Sequence, residues 1–305
     1  MPQKKPFPPD PSLELQRDLL LNPERNPTGY VAFEDAQAHP FAPGATAWSR
    51  VNGWWLADAS WLAYAHDETM VRTILAERSG LTSCTFISRE GTQCYIAHNP
   101  QLAIVAFRGT QPDDWHDLFD ISCFFPIMWD VGLVHKGFAA ALNKVWDRLH
   151  AALSALPGTC RIWLTGHSLG AALASLTAVR IGTRASGLYT YGAPRIGNAV
   201  FASRIGQTLR QTSIRYVNDT DVVTHVPPDV GFPYTHADHL RWINKDGQIG
   251  TTQPTFPNVV DLFDLLRKVE LCRQGVLIEL PDTLTDHTPL YYALHAWNDF
   301  AVNGG

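Results

Sequence analysis

Residues 161–181 read Arg-Ile-Trp-Leu-Thr-Gly-His-Ser-Leu-Gly-Ala-Ala-Leu-Ala-Ser-Leu-Thr-Ala-Val-Arg-Ile. The apolar run Ile162 to Leu164 predicts a buried strand, and the Ala/Leu-rich stretch after Gly170 predicts a helix. Between them the chain turns sharply through Gly166-His167-Ser168-Leu169-Gly170. A serine at such a strand-to-helix corner is held in a strained conformation with its hydroxyl in the open, and glycines on either side let strand and helix approach closely. The helix that begins there aims free N–H groups and its positive dipole end back at the serine, where negative charge would develop during acyl transfer. A Gly-x-Ser-x-Gly arises by chance in roughly one chain in ten of this length. The context, strand before and helix after, is what selects Ser168 as a nucleophile.

The rest of the composition suits one large α/β domain. Of 305 residues, 45% are apolar and 17% charged, enough for a sizeable core. Ten tryptophans and fourteen phenylalanines fill such a core or line a deep apolar pocket. A net charge of −5 and the absence of any basic run argue against nucleic acid as a partner. No apolar run approaches the roughly 18 residues of a membrane span. The first ten residues carry two lysines but no apolar segment behind them, so they do not read as a signal peptide. The expected location is therefore the cytoplasm, unless the protein leaves by another route. The five cysteines (84, 94, 123, 160, 272) are odd in number and lack a C-x-x-C, which predicts free thiols, although Cys84 and Cys94 fall in adjacent strand-like segments.

Nine of the 21 prolines lie in the first 43 residues, so residues 1–44 read as an extended arm with one helical piece near Leu13 to Leu21. Residues 45–305 read as the α/β domain. Helical spacing runs from Ala45 to Arg78, and a hairpin is expected at 82–88 and 92–98. Leu102 to Phe107 is a continuous apolar strand ending at Arg108-Gly109-Thr110. Residues 111–130 interleave acidic and bulky apolar groups. Gly137 to Leu153 predicts a helix, Leu188 to Tyr191 and Ile214 to Val217 strands, and 198–207, 258–271 and 289–300 helices.

Ser168 needs a base, and the base an orienting carboxylate. Asp219 and Asp221 follow the strand that ends at Val217, and His225, His236, His239, His287 and His295 lie downstream. His287 stands just before the last helix, where a histidine on a later loop belongs, but the pattern alone leaves the other histidines open. Clusters such as His116 with its neighbouring aspartates, or His236-Asp238-His239, lack the spacing of a known metal ligand set and read as solvated faces.

Six matches in order, five stretches and one tryptophan, give the chain a more specific likeness. They are Ala106-Phe-Arg-Gly-Thr110 with Trp115 after it, Val134-His-Lys-Gly-Phe138, the elbow from Thr165 to Ala174, Tyr191-Gly-Ala-Pro-Arg-Ile-Gly-Asn198, and Asp221-Val-Val-Thr-His-Val-Pro-Pro228. Through these the chain resembles the class 3 lipase family, typified by filamentous-fungal triacylglycerol lipases. The resemblance covers most of residues 100–300. Two departures are visible: Ala171 stands where the family usually has a second glycine, and the match around His287 is looser than elsewhere.

The resemblance implies an α/β-hydrolase fold, with a central, mostly parallel sheet flanked by helices. It implies Asp221 as the acid and His287, with Tyr291 following, as the base, His295 being the fallback. It treats Phe232-Pro-Tyr-Thr-His236 with Trp242 as structural. The oxyanion would be held by the backbone N–H of Leu169, the residue after the nucleophile, and by Thr110. Residues 111–130 would form an amphipathic lid, with Trp115, Leu118, Phe119, Ile121, Phe124, Phe125 and Trp129 facing the pocket. The implied activity is hydrolysis of acylglycerols or other carboxylic esters with no metal or organic cofactor, on a lipid or small ester substrate, with a lipid–water interface as an open alternative. Phospholipase A1 and feruloyl-type esterase share the chemistry, and a non-catalytic lipid-binding module would keep the scaffold without it.

Overall fold

The computed structural model describes residues 2–8, 21–26, 28–110, 124–229, 231, 233–253 and 285–304. Along the chain these form helices α1 (Arg50–Leu62) and α2 (Glu68–Ile74) and strands β1 (Ser83–Arg89), β2 (Thr92–His98) and β3 (Leu102–Phe107). A small pair, β4 (Pro126–Met128) and β5 (Leu133–His135), precedes α3 (Lys136–Ser154). Then come β6 (Arg161–His167), α4 (Leu169–Ile181), β7 (Ala185–Tyr191), α5 (Ala199–Leu209) and β8 (Ser213–Asn218). Strands β9 (His239–Ile243) and β10 (Ile249–Gly250) and helix α6 (Pro289–Asn303) complete the set.

Eight strands form one sheet in the order β1-β2-β3-β6-β7-β8-β9-β10. The run from β3 to β9 is parallel, and the outer pairs are antiparallel. This is the sheet expected of an α/β-hydrolase. The parallel strands are covered on both faces, as such strands require. Along β3, Leu102, Ile104 and Ala106 enter one core cluster while Ala103, Val105 and Phe107 enter the other. The first cluster, under α1 and α6, is rich in tryptophan and tyrosine. The second, under α3, α4 and α5, is mostly aliphatic.

The register sets the location of the chemistry. Phe107 pairs with Gly166, His167 with Tyr191, and Tyr191 with Tyr216. The residues following β3, β6, β7 and β8 therefore emerge together at one edge, the carboxyl ends of the parallel strands, where open α/β sheets build their sites.

Parts of the proline-rich stretch are built into this body. Tyr30, Phe33 and Phe41 belong to the aromatic cluster. The buried Asp58 of α1 accepts hydrogen bonds from the Tyr30 hydroxyl at 2.7 Å and the Phe33 N–H at 2.8 Å. Residues 2–8 lie along α6, where Asn298 bonds both the N–H and the C=O of Lys5. Of the helical piece expected near Leu13 to Leu21, residues 13–20 lie outside the described residues, as do the helix expected at 258–271 and the cysteines 123 and 272.

Two local readings differ from expectation, and the cysteine pair keeps to it. Strands β9 and β10 were not among the expected strands: β9 alternates only over His239-Leu240-Arg241-Trp242, and β10 is two residues long. Cys84 and Cys94 are free thiols, because the hairpin register pairs Cys84 with Ala97 and Cys94 with Ile87. Of the segment read as a lid helix, residues 111–123 lie outside the described residues. Its described remainder holds strand β4 instead of helix, because Pro126 to Met128 pairs with Leu133 to His135. Phe124 there is fully buried, Phe125 is exposed, and Trp129 packs on Phe201 and the Arg180 guanidinium.

Candidate active site

The elbow begins with sterics. Ser168 sits at φ 59°, ψ −128°, a conformation a non-glycine residue adopts at a cost of about 1–3 kcal/mol. Although it occupies the N-cap position of α4, its side chain makes no capping hydrogen bond. Its buried hydroxyl has no hydrogen-bond partner among the described residues. An ordinary capping serine would spend that oxygen on the helix N–H groups. The glycines permit the close passage: a Cβ on Gly166 would collide with the backbone of Gly170, and one on Gly170 with the carbonyl of Phe107. Ala171, at the position where the resemblance departs, is fully buried in the first turn of the helix.

The loop after β3 runs against this corner. A Cβ on Gly109 would strike the Tyr64 hydroxyl and stand 3.1 Å from Ser168 Cβ. The strand pairing thus brings the loop that carries Thr110 beside the start of α4, whose first N–H belongs to Leu169.

The candidate acid and base come from later loops. His287 Nδ1 donates to Asp221, at 2.8 Å from Oδ2 and 3.0 Å from Oδ1, and both side chains are fully buried. A carboxylate there requires the proton on Nδ1 and leaves Nε2 as the basic nitrogen. Asp221 also accepts from the Val223 N–H at 2.9 Å and from the Tyr292 hydroxyl at 2.6 Å. The Tyr292 oxygen in turn accepts from the Asn218 N–H. The two loops are stitched together nearby. Asp286 accepts from the N–H and hydroxyl of Thr220, and Asn218 donates to the Asp286 carbonyl. Burial raises the Asp286 carboxyl to about 6 against those bonds, with the charges of Asp221 and Asp219 adding to the rise.

Gly192, at the end of β7, is the floor under this pair. Its φ is +59°, and an added Cβ would lie 2.8 Å from Asp221 Oδ2 and from His287 Nδ1. The tie between floor and elbow is direct, since the Ser168 N–H donates to the Tyr191 carbonyl at 3.0 Å. Burial and the neighbouring His287 hold His167 well below the ordinary histidine range, so it is neutral.

Residues 104–231 match the family described as Lipase (class 3). A lipase of Caenorhabditis elegans is 32% identical over 213 residues, covering 61% of this chain and 58% of that protein. A secreted mono- and diacylglycerol lipase of Fusarium solani is 38% identical over 120 residues, covering 36% of this chain and 34% of that protein. Over residues 104–231 the chain is thus similar to the class 3 lipase family. It spans a third to about three fifths of the length of these two relatives. Among solved structures, the Rhizomucor miehei triacylglyceride lipase shares its fold, with a TM-score of 0.53 and 21% identity over 79% of this chain and 96% of that one.

In this chain the histidines sort by their surroundings. His295, the fallback base, lies on α6 with its ring 4.5 Å from that of Phe7, and burial pushes it down to about 4. His236 donates to the Thr224 carbonyl, and Asp238 accepts from Ser213. Only His287, among the described histidines, bonds Asp221. Tyr64, His167, Gly192 and Tyr292 had no role in the sequence reading. Tyr292 was one residue from a noted position, Tyr291, whereas nothing in the sequence marks Tyr64. No helix among the described residues is long and apolar enough to cross a membrane.

Proposed function

We propose that this chain is a serine carboxylic ester hydrolase that cleaves acylglycerols, with Ser168 as nucleophile, His287 as general base and Asp221 as its orienting acid. The observation that carries the reading is the buried His287–Asp221 pair at the same sheet edge as a strained serine whose hydroxyl caps nothing. The names of the relatives, which include mono- and diacylglycerol lipases, support acylglycerols as the substrate class.

His287 Nε2 takes the Ser168 proton as Oγ attacks the ester carbonyl carbon, and Asp221 stabilises the imidazolium that forms. The carbonyl oxygen becomes the oxyanion, received by the Leu169 N–H and by Thr110. Loss of one such donor costs about 2.7–4 kcal/mol of transition-state stabilisation. The tetrahedral intermediate collapses by expelling the alcohol, protonated by His287, and leaves an acyl-Ser168 ester. Water, deprotonated by His287, then adds to that ester and releases the fatty acid.

The test is hydrolysis of p-nitrophenyl esters from C2 to C16 by wild type, Ser168→Ala, His287→Ala and His295→Ala. Ser168→Ala and His287→Ala should each lose on the order of 10⁴–10⁶ in kcat, and His295→Ala should keep the wild-type rate. Full activity in Ser168→Ala would sink the mechanism. A rate that peaks at short acyl chains would replace the acylglycerol substrate with a small ester.

A further inference from the structure

His167 stands next to the nucleophile, is buried, and uses both ring nitrogens. Its Nε2 lies 2.6 Å from the backbone carbonyl of His287, and its Nδ1 lies 2.7 Å from the Tyr64 hydroxyl. A carbonyl only accepts, so Nε2 carries the proton and bare Nδ1 accepts from the Tyr64 O–H. Tyr64, at the end of α1, is itself buried, with its oxygen pressed against Gly109 in the loop that carries Thr110. One side chain, Tyr64, thus touches the oxyanion loop and, through the imidazole of the elbow, reaches the backbone of the base.

We infer that Tyr64 and His167 are positioning residues that lock the backbone of His287 and the Arg108–Thr110 loop in register with Ser168, an inference that rests on the proposed Ser168–His287–Asp221 mechanism. The chemistry of the tautomer supplies the reason. The proton of a neutral imidazole can sit on either nitrogen, and the two forms differ in what they present to the His287 carbonyl. With the Tyr64 O–H directed at Nδ1, the proton belongs on Nε2 and the carbonyl receives a donor. Without that hydroxyl Nδ1 is left a buried acceptor with no hydrogen-bond donor, and the ring shifts to relieve it. The His287 carbonyl, bonded to Nε2, moves with the ring and carries the base away from Ser168. Displacements of about 1 Å at a reacting centre cost rate far out of proportion to their cost in stability.

Charge argues the same way. The rings of His167 and His287 have centroids 4.4 Å apart. When His287 accepts the serine proton, a second cation at that distance would oppose it. A neutral His167 held by two directional bonds steadies the base without competing with its charge.

The experiment compares Tyr64→Phe, His167→Phe and His167→Gln with wild type on p-nitrophenyl butyrate, with Ser168→Ala and His287→Ala run beside them. Tyr64→Phe removes one oxygen and should lower kcat about tenfold with KM unchanged and only a small fall in Tm. His167→Phe should lose more. His167→Gln should recover most of that loss, because its amide N–H reaches the carbonyl that Nε2 serves. The low-field proton signal of the His287–Asp221 hydrogen bond should shift or broaden in Tyr64→Phe and return to its wild-type position in His167→Gln. If Ser168→Ala and His287→Ala are dead while Tyr64→Phe and His167→Phe keep kcat within twofold, the positioning role fails and the mechanism stands. A loss of activity matched by a large fall in Tm, or a change in KM alone, also overturns it, since either marks a merely structural contact. Activity surviving in Ser168→Ala would instead remove the mechanism beneath both.

Discussion

The two faces of the sheet hold the molecule together by different means. Under α3, α4 and α5 the core is Leu142, Val145, Leu149, Leu164, Leu173, Leu176 and their kind, with Phe107, Phe138 and Phe201 as its aromatic members. It has few polar atoms to satisfy and depends on shape and buried area. Under α1 and α6 the core is Trp54, Trp61, Trp163, Tyr189, Tyr191, Tyr216, Tyr292 and Trp297. Each buried tyrosine there brings a hydroxyl that needs a partner. Tyr95 donates to the Ala59 carbonyl, Tyr191 to that of Gly53, Tyr189 accepts from the Ser49 N–H, and Tyr216 accepts from Trp48. These hydroxyls fasten α1 to the sheet. At the edge where the strands end, two others, Tyr64 and Tyr292, turn to His167 and Asp221. The lesson is that one face supplies bulk, and the other supplies bulk together with oriented polar atoms, some of which reach the site.

The strongest way to break this comparison is by cavity. Trp163→Ala on the aromatic face should cost about 3–5 kcal/mol, and Leu142→Ala on the aliphatic face about 2–5 kcal/mol. Urea denaturation checks both. Trp163→Ala also strips the donor to the Pro43 carbonyl, so the indole face should prove the costlier. Equal losses would mean that the polar handles add nothing.

Next in size is a pH effect confined to the aromatic face. Burial pushes Asp58 from the ordinary 3.8 up to about 7, against the hydrogen bonds from Tyr30 and Phe33 that favour its charge. Between those values the folded chain holds a proton that the unfolded chain has released. Its contribution to stability is therefore full below about pH 4 and is lost as the pH rises through about 7. The gap corresponds to about 4 kcal/mol. Asp58→Asn stays neutral throughout, and its amide can still pair with Tyr30 and Phe33. Its stability, measured by denaturation from pH 4 to 8, should fall by less than that of wild type. Parallel curves would show that this carboxyl does not titrate there.

The smallest effect sharpens the comparison within one residue type. Tyr292→Phe should lower kcat about tenfold with little change in KM, because Asp221 loses a bond while the ring still fills its place. Tyr216→Phe should leave kcat alone and lower Tm slightly, since its hydroxyl serves only Trp48. If both act on Tm and neither on kcat, the tyrosines of this face are fasteners and nothing more.

The elbow was legible because its causes are local. Glycines on either side of Ser168 and the change from strand to helix spacing lie within twenty consecutive residues, and Gly166 and Gly170 prove to be sites where no Cβ fits. The α/β architecture followed from the same kind of signal, since apolar period reports burial directly. The edge strands β9 and β10, half-buried and short, carry too little of that signal to be seen.

What the chain determined alone, then, is the serine elbow, the strands and helices around it, and a short list of candidate acids and bases. The choice within that list belongs to the tertiary structure. His287 meets Asp221 across 66 residues, Tyr292 meets it across 71, and Tyr64 meets His167 across 103. No local pattern encodes such distances. They are fixed only when parallel strands align their carboxyl ends, so that loops remote in sequence end at the same edge.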